Sequence, residues 1–302
     1  MFKNLLDIYS LNKRDIESIV EMASDFERGA QGVSCCGKHL CLLFCENSTR
    51  TRFSFEMAAN KLGVHIYNFD ADRSSFSKGE SMKDTLENLS AIGIDAVVIR
   101  HSEAGIVERA MSEVDSSIAF INAGDGNHSH PTQALLDFYT MKKHLGSVTG
   151  KKIAIIGDIK HSRVAHSNVE LLRKFGAKIH LYAPEYFKDE AIDGVVWEDN
   201  LESALCKADV AMFLRIQKER LEEGISLDGY VQDFGLTLEQ LQKFASEKLT
   251  AFMCSEALWW KCHRALISDD LKRHGWNVIH ILGKGKTEVH PYTTVAQQKI
   301  LF

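Results

Sequence analysis

Ser48-Thr49-Arg50-Thr51 places three hydroxyls and a guanidinium in four consecutive residues, within the longer run Cys45-Glu46-Asn47-Ser48-Thr49-Arg50-Thr51-Arg52-Phe53-Ser54-Phe55-Glu56. An apolar, strand-like run, Leu40 to Phe44, precedes it. A helical pattern follows, with Phe55, Ala58, Ala59 and Leu62 at i, i+3, i+4 and i+7 and Gly63 as the stop. Ser48 is then the expected N-cap, and Thr49, Arg50 and Thr51 fill the first turn. That turn leaves backbone N–H groups without intrahelical partners and carries the positive end of the helix dipole. Hydroxyls and a guanidinium added there make a site for a phosphate group. Taken alone, the same four residues also describe an ordinary capped helix with solvated arginines.

The elements around this helix follow from periodicity. A first helix has Ile16, Ile19, Val20 and Ala23 on one face up to Phe26 and Gly29. Strand Leu40 to Phe44, the Ser48 helix and strand Val64 to Phe69 form a β-α-β unit. A polar stretch, Asp70 to Ser81, is too long for a tight turn and reads as a functional loop. Helix Met82 to Ala91, strand Ala96 to Arg100, helix Glu103 to Val114 and strand Ile118 to Asn122 continue the alternation. Such alternation predicts a parallel sheet covered on both faces. A glycine-rich loop from Ala123 then enters a helix in which Pro131 suits the first position. Gly146 to Gly150 reads as a hinge between domains.

The second half restarts with strand Lys152 to Ile156, a loop, a helix ending near Phe175 and Gly176, and strand Lys178 to Tyr182. The turn after its first strand, Gly157-Asp158-Ile159-Lys160-His161-Ser162, lacks the later glycines that close approach to a dinucleotide pyrophosphate requires. Strand Val210 to Leu214, helix Thr237 to Ser246 and strand Leu249 to Met253 follow, and a final helix spans Thr293 to Phe302.

Bulk properties narrow the function class. The 302 residues suffice for two domains with their own cores, and 45% hydrophobic with 25% charged residues is ordinary for a globular chain. A net charge of −5 argues against nucleic acid as a partner. The N-terminus is too polar for a signal peptide, and no apolar run approaches the roughly 18 residues of a membrane span; the expected location is the cytoplasm. Seven cysteines, an odd and scattered number, suggest no disulfide framework. Cys35, Cys36, Cys41 and Cys45 cluster, but Cys41 and Cys45 share a strand face, which favours core packing over metal binding. The same reading is made for Cys254, Cys262 and His263.

Six motifs in order resemble those of the aspartate and ornithine carbamoyltransferase family, from about residue 35 to about residue 250. They are Ser48-Thr49-Arg50-Thr51; Lys78-Gly79-Glu80 with Ser74; Arg100-His101; His130-Pro131-Thr132-Gln133; Gly157-Asp158 with Arg163 and His166-Ser167; and Arg215-x-Gln217-Lys218-Glu219-Arg220. The resemblance implies an α/β fold of two doubly wound parallel-sheet domains facing a central cleft. It implies a phosphate-substrate domain over residues 1–146, with a C-terminal helix (288–302) returning to it, and an aspartate domain over 147–287. It assigns the phosphorylated substrate to Ser48, Thr49, Arg50, Thr51, Ser74, Lys78, Arg100 and Gln133. Thr51, Arg100 and His130 would stabilise the oxyanion, and Arg163, Arg215 and Gln217 would hold aspartate. Lys78 would come from a neighbouring subunit of a homotrimer. No metal or organic cofactor is implied.

One stretch departs from the family. After the strand ending at Met253, the family has a proline-rich turn whose backbone carbonyls accept hydrogen bonds from a carbamoyl NH2. Here the chain reads Met253-Cys254-Ser255-Glu256-Ala257-Leu258-Trp259-Trp260-Lys261-Cys262-His263-Arg264, without either proline. Three readings are consistent with this: the loop serves the same purpose in another form; the electrophile is a different phosphorylated carbonyl compound, such as dihydroxyacetone phosphate; or the chain is a catalytically silent binding partner.

Overall fold

The structure is a computed structural model that describes residues 3–30, 32, 34–70, 79–114, 117–214, 217, 242, 246, 252–253, 264–283 and 286–291. By internal contacts the chain divides into two units. One comprises Met1–Thr149 and Ser162–Ala177, the other Gly150–His161 and Lys178–Phe302.

The first unit opens with α1 (Lys13–Glu27), held by a capping box in which Asn12 accepts from the Asp15 N–H and Asp15 accepts from the Asn12 N–H. It buries Ile16 and Val20, as the periodicity predicts. There follow β1 (His39–Phe44), α2 (Thr49–Lys61), β2 (His65–Asp70), α3 (Met82–Ala91), β3 (Ala96–His101), α4 (Ile106–Glu113), β4 (Ala119–Asp125) and α5 (Pro131–Leu145). The four strands are parallel in the order β2-β1-β3-β4. The middle strands are almost uninterruptedly apolar, with Leu42, Leu43, Val97, Val98 and Ile99 fully buried, as a sheet covered on both faces demands. Cys41 joins this core, with Cys45 packed against it, and burial pushes the Cys41 thiol up to about 11.

The chain leaves β1 toward β2 on one side and returns to β3 on the other. The carboxyl ends of β1 and β3 therefore flank a topological switch point, where open α/β sheets form their crevices. Glu46 and the start of α2 follow β1 there, and Arg100 lies at the end of β3. The helix α6 (Arg163–Lys174) also belongs to this unit and packs on α5.

The second unit has a five-stranded sheet in the order β7-β6-β5-β8-β9, all parallel: β5 (Lys152–Ile156), β6 (Lys178–Tyr182), β7 (Val196–Trp197), β8 (Val210–Phe213) and β9 (Phe252–Met253). Its core joins Ala154, Ile156, Ala211 and Phe213 to Leu201 and Leu205 of α7 (Leu201–Leu205) and to Ile267 and Leu271 of α8 (Arg264–Arg273). An antiparallel hairpin, β10 (Ile279–Gly283) and β11 (Lys286–Val289), follows α8. The helix and hairpin, which the sequence pattern does not disclose, enclose a buried polar row. His280 Nε2 lies 2.8 Å from His290 Nδ1, and His290 Nε2 lies 2.8 Å from Asp269 Oδ1. The expected helices at Thr237 to Ser246 and Thr293 to Phe302 lie largely or wholly outside the described residues.

Candidate functional site

Ser48 is the N-cap of α2, at φ −157° and ψ 95°, but its hydroxyl makes no capping bond. The first-turn N–H groups of α2 thus lack the side-chain acceptor that a capping serine usually supplies. Thr49 and Arg50 are exposed, and Ser48 and Thr51 are half-buried. Arg52 is structural by comparison: it lies 5.7 Å over the Phe44 ring and reaches the Phe69 carbonyl at 3.5 Å.

At the neighbouring strand end, Arg100 Nη1 donates to the Ala123 carbonyl at 3.1 Å, and Nη2 lies 3.4 Å from Glu46 Oε1. Arg163, in the first turn of α6, donates to Glu46 Oε2 at 3.0 Å and to the Gly126 carbonyl at 3.1 Å. The two guanidinium side chains are 11% and 6% exposed, and a single carboxylate spans them. Gly124 is what lets them approach. A Cβ at that position would lie 3.0 Å from Arg163 Cζ and 3.3 Å from Arg100 Nη1, and φ is +113°.

Asp125, fully buried, shapes the loop that carries these contacts. Its carboxylate accepts from the Ser129 and Gly105 backbone N–H groups, from the Asn122 amide and from His128, whose pKa that bond raises. The loop delivers His130 as the N-cap of α5, with Pro131 at the first helical position. His130 is buried; its backbone N–H donates to Ser167 Oγ at 2.8 Å, which ties α5 to α6. Thr132 Oγ1 lies 3.4 Å from His130 Nδ1. Gln133, in the first turn of the same helix, donates its amide N–H to Asp137 Oδ1 at 2.9 Å.

In the second unit, Asp158 follows β5 and is fully buried. It accepts from the backbone N–H and Nδ1 of His161 at 3.1 and 2.8 Å, and from the backbone N–H of Gln217 at 3.0 Å. Gln217 is therefore held just past β8, at that sheet's own switch point between β5 and β8. Ser74, Lys78, Arg215 and the segment from Cys254 to His263 lie outside the described residues.

Of the expected site residues, the structure brings Arg100 and Arg163 together and sets His130 and Gln133 at the start of α5. Sequence reasoning assigned no role to Glu46, Gly124 or Asp125. Glu46 lies within the hydroxyl-rich run, but only the fold shows which cations it meets.

This geometry has relatives. The chain matches the model of the aspartate/ornithine carbamoyltransferase carbamoyl-P binding domain over residues 3–143. It is 42% identical over 252 residues to the aspartate carbamoyltransferase catalytic subunit of Xanthomonas campestris pv. campestris, covering 80% of each chain. It is 45% identical over 243 residues to that of Aliarcobacter butzleri, covering 80% of this chain and 81% of the relative. The chain belongs to the aspartate/ornithine carbamoyltransferase family. It is thus a transferase with the carbamoyltransferase fold. The aspartate transcarbamoylase of Trypanosoma cruzi, solved with carbamoyl aspartate and phosphate, superposes with a TM-score of 0.70 at 31% identity over 84% of both chains. The catalytic subunit from M. Jannaschii does so with a TM-score of 0.67 at 30% identity, over 83% of this chain and 85% of that one. A second model, a domain of unknown function (DUF488), matches residues 227–271. That match includes Cys254 to His263, the stretch that has no proline.

Proposed function

We propose that this chain transfers the carbamoyl group of carbamoyl phosphate to the amine of L-aspartate. The observation that carries the reading is the convergence of Arg100 and Arg163 around Gly124, with one carboxylate, Glu46, between two cations. Guanidinium groups brought together at a strand end suit the planar, bidentate recognition of an incoming anion. The start of α2 and Arg50 lie on the segment that carries Glu46 and supply further donors for a phosphate. The complexes of the Trypanosoma cruzi enzyme with carbamoyl phosphate and aspartate support the same substrates.

In this reading Ser48 to Thr51, Arg100 and the Lys78 of a neighbouring copy hold the phosphate, aided by Ser74. Gln133 meets the carbamoyl group. Arg163, Arg215 and Gln217 take the carboxylates of aspartate. The amine attacks the carbonyl carbon, and Thr51, Arg100 and His130 stabilise the oxyanion. As the C–N bond forms, the bond from the carbonyl carbon to the bridging oxygen breaks, and the departing phosphate, which keeps that oxygen, accepts the amine's proton. The phosphorylated substrate is assigned to the domain of residues 1–146, aspartate to that of 147–287, and the working form is a homotrimer in the cytoplasm.

A second reading rests on the altered stretch. Without the proline-rich turn, a carbamoyl NH2 loses acceptors, at a cost of about 1–3 kcal/mol, whereas a ketone phosphate would lose none. The test offers the purified protein aspartate together with carbamoyl phosphate or with three-carbon ketone and aldehyde phosphates, and follows products by mass. Carbamoyl aspartate is the expected product. Aspartate consumed only with a ketone or aldehyde phosphate would replace the proposal with the second reading, and no product from any donor would leave a binding protein.

A further inference from the structure

Asp137 lies on α5 one turn beyond Gln133 and is only 3% exposed. Its two carboxylate oxygens have separate donors: Oδ1 accepts from Gln133 Nε2 at 2.9 Å, and Oδ2 accepts from Asn168 Nδ2 at 2.8 Å. Asn168 belongs to α6 and gives a second bond to the Val164 carbonyl at 3.0 Å, so that its NH2 group is fully used. An ionised carboxylate is acceptor-only. The Gln133 amide must therefore turn its NH2 toward Asp137; turning it over would set Oε1 against Oδ1, lone pair to lone pair. The amide oxygen is the atom left over, and it makes no hydrogen bond among the described residues.

We propose that Asp137 is a positioning residue that sets the polarity of Gln133, fixing its amide oxygen as the acceptor for an electrophile whose carbonyl bears an NH2 rather than a methyl group. The inference rests on the reading above, in which Gln133 meets the electrophile. It also supplies an acceptor for that NH2 in a chain that lacks the family's proline-rich turn.

The lock depends on ionisation. Burial raises the Asp137 pKa to about 6, against the lowering effect of the Asn168 and Gln133 bonds. The carboxyl is thus ionised above about pH 6 and protonated below it. Once protonated, it can donate to Gln133 Oε1, and the amide is free to turn over. The charged groups on neighbouring elements are engaged elsewhere. Arg163 pairs with Glu46, Glu170 with Arg173 and Lys174, Glu27 of α1 with Lys143 and Tyr139, and Asp125 with His128. His166 Nδ1 meets the Asn127 carbonyl, and His130 Nδ1 lies near Thr132.

The test compares two non-reactive ligands, phosphonoacetamide and 2-oxopropylphosphonate, which differ only in NH2 against CH3. Because both carry the same phosphonate, its titration cancels in the ratio of their dissociation constants. The wild type should prefer the amide by roughly tenfold at pH 8, and the preference should fall toward unity by pH 5. In Asp137→Asn the preference should be small and independent of pH. Adding Asp137→Asn to Gln133→Met should change nothing further. A wild-type preference that does not move with pH would overturn the proposal even if the variants fail to fold, and so would a folded Asp137→Asn protein with wild-type preference. If neither ligand binds, the reading of the site falls and this inference falls with it. Two ligands that bind equally at every pH overturn the inference alone.

Discussion

Glu46 pairs with the guanidinium groups of Arg100 and Arg163, so if these arginines hold an anionic substrate as proposed, the carboxylate competes with it for them. Removing it leaves two largely buried cations short of counter-charge. Glu46→Ala should lower the free energy of unfolding by roughly 3 kcal/mol, the usual range for breaking one side of a buried ion pair. Inorganic phosphate should then raise the melting temperature of the variant more than that of the wild type, because the Glu46 carboxylate no longer competes with it. Thermal unfolding with and without phosphate measures both effects, and equal phosphate shifts would show that Glu46 does not compete. The placement of the expected residues was legible in the sequence where a residue type announces itself at a fixed place in an element. Ser48 to Thr51 at a helix start, Arg100 at a strand end and His130 before Pro131 are of that kind. Glu46 and Asp137 were not legible, because a carboxylate takes its meaning from its partners. Arg163 and Asn168 reach them from another helix, far along the chain.

At the level of elements, the approach of α6 to the end of β4 depends on one glycine. Gly124→Ala would force an L side chain to φ +113°, at a cost of about 1–3 kcal/mol, and would press its Cβ against Arg163 and Arg100. Gly146→Ala is the control: φ there is +74°, but nothing lies within 4 Å of an added Cβ. Both variants should unfold more readily, while only Gly124→Ala should weaken phosphate binding, by roughly tenfold. Calorimetric titration with phosphate checks this, and equal weakening in both would mean that backbone strain rather than crowding is responsible. The strands and most helices were legible because buried parallel strands leave long apolar runs and helices leave a repeating face. The face of α2 is thinner than its pattern suggests. Ala59 is buried and Phe55 packs on the core, but Ala58 is exposed, as are Phe53 at 60% and Met57 at 61%. The helix α8 and its hairpin were missed because their polar interior interrupts the apolar pattern that marks a core.

For the whole molecule, the exposed Phe53 and Met57 of α2 and Tyr67 of the edge strand β2 lie on the two elements that precede the Lys78 loop in sequence. Apolar side chains on an open sheet edge and its covering helix suit an interface between copies. If Lys78 works in a neighbour's site, mixing Arg50→Ala with Lys78→Ala subunits should recover part of the activity that each alone has lost, since some mixed sites carry neither lesion. Verified mixed oligomers without recovery would count against sharing. The division of the chain into units has a different consequence. The polypeptide passes from one unit to the other three times, after Thr149, after His161 and after Ala177. No single cut can release either unit whole. A fragment ending at Thr149 would lose the segment that gives Ser167 to His130, Asn168 to Asp137 and Arg163 to Glu46, and a fragment beginning at Gly150 would carry that helix without its partners. The first unit is therefore finished only after synthesis has entered the second, so a truncated or nicked chain should be recognised as damaged rather than persist as a half-enzyme.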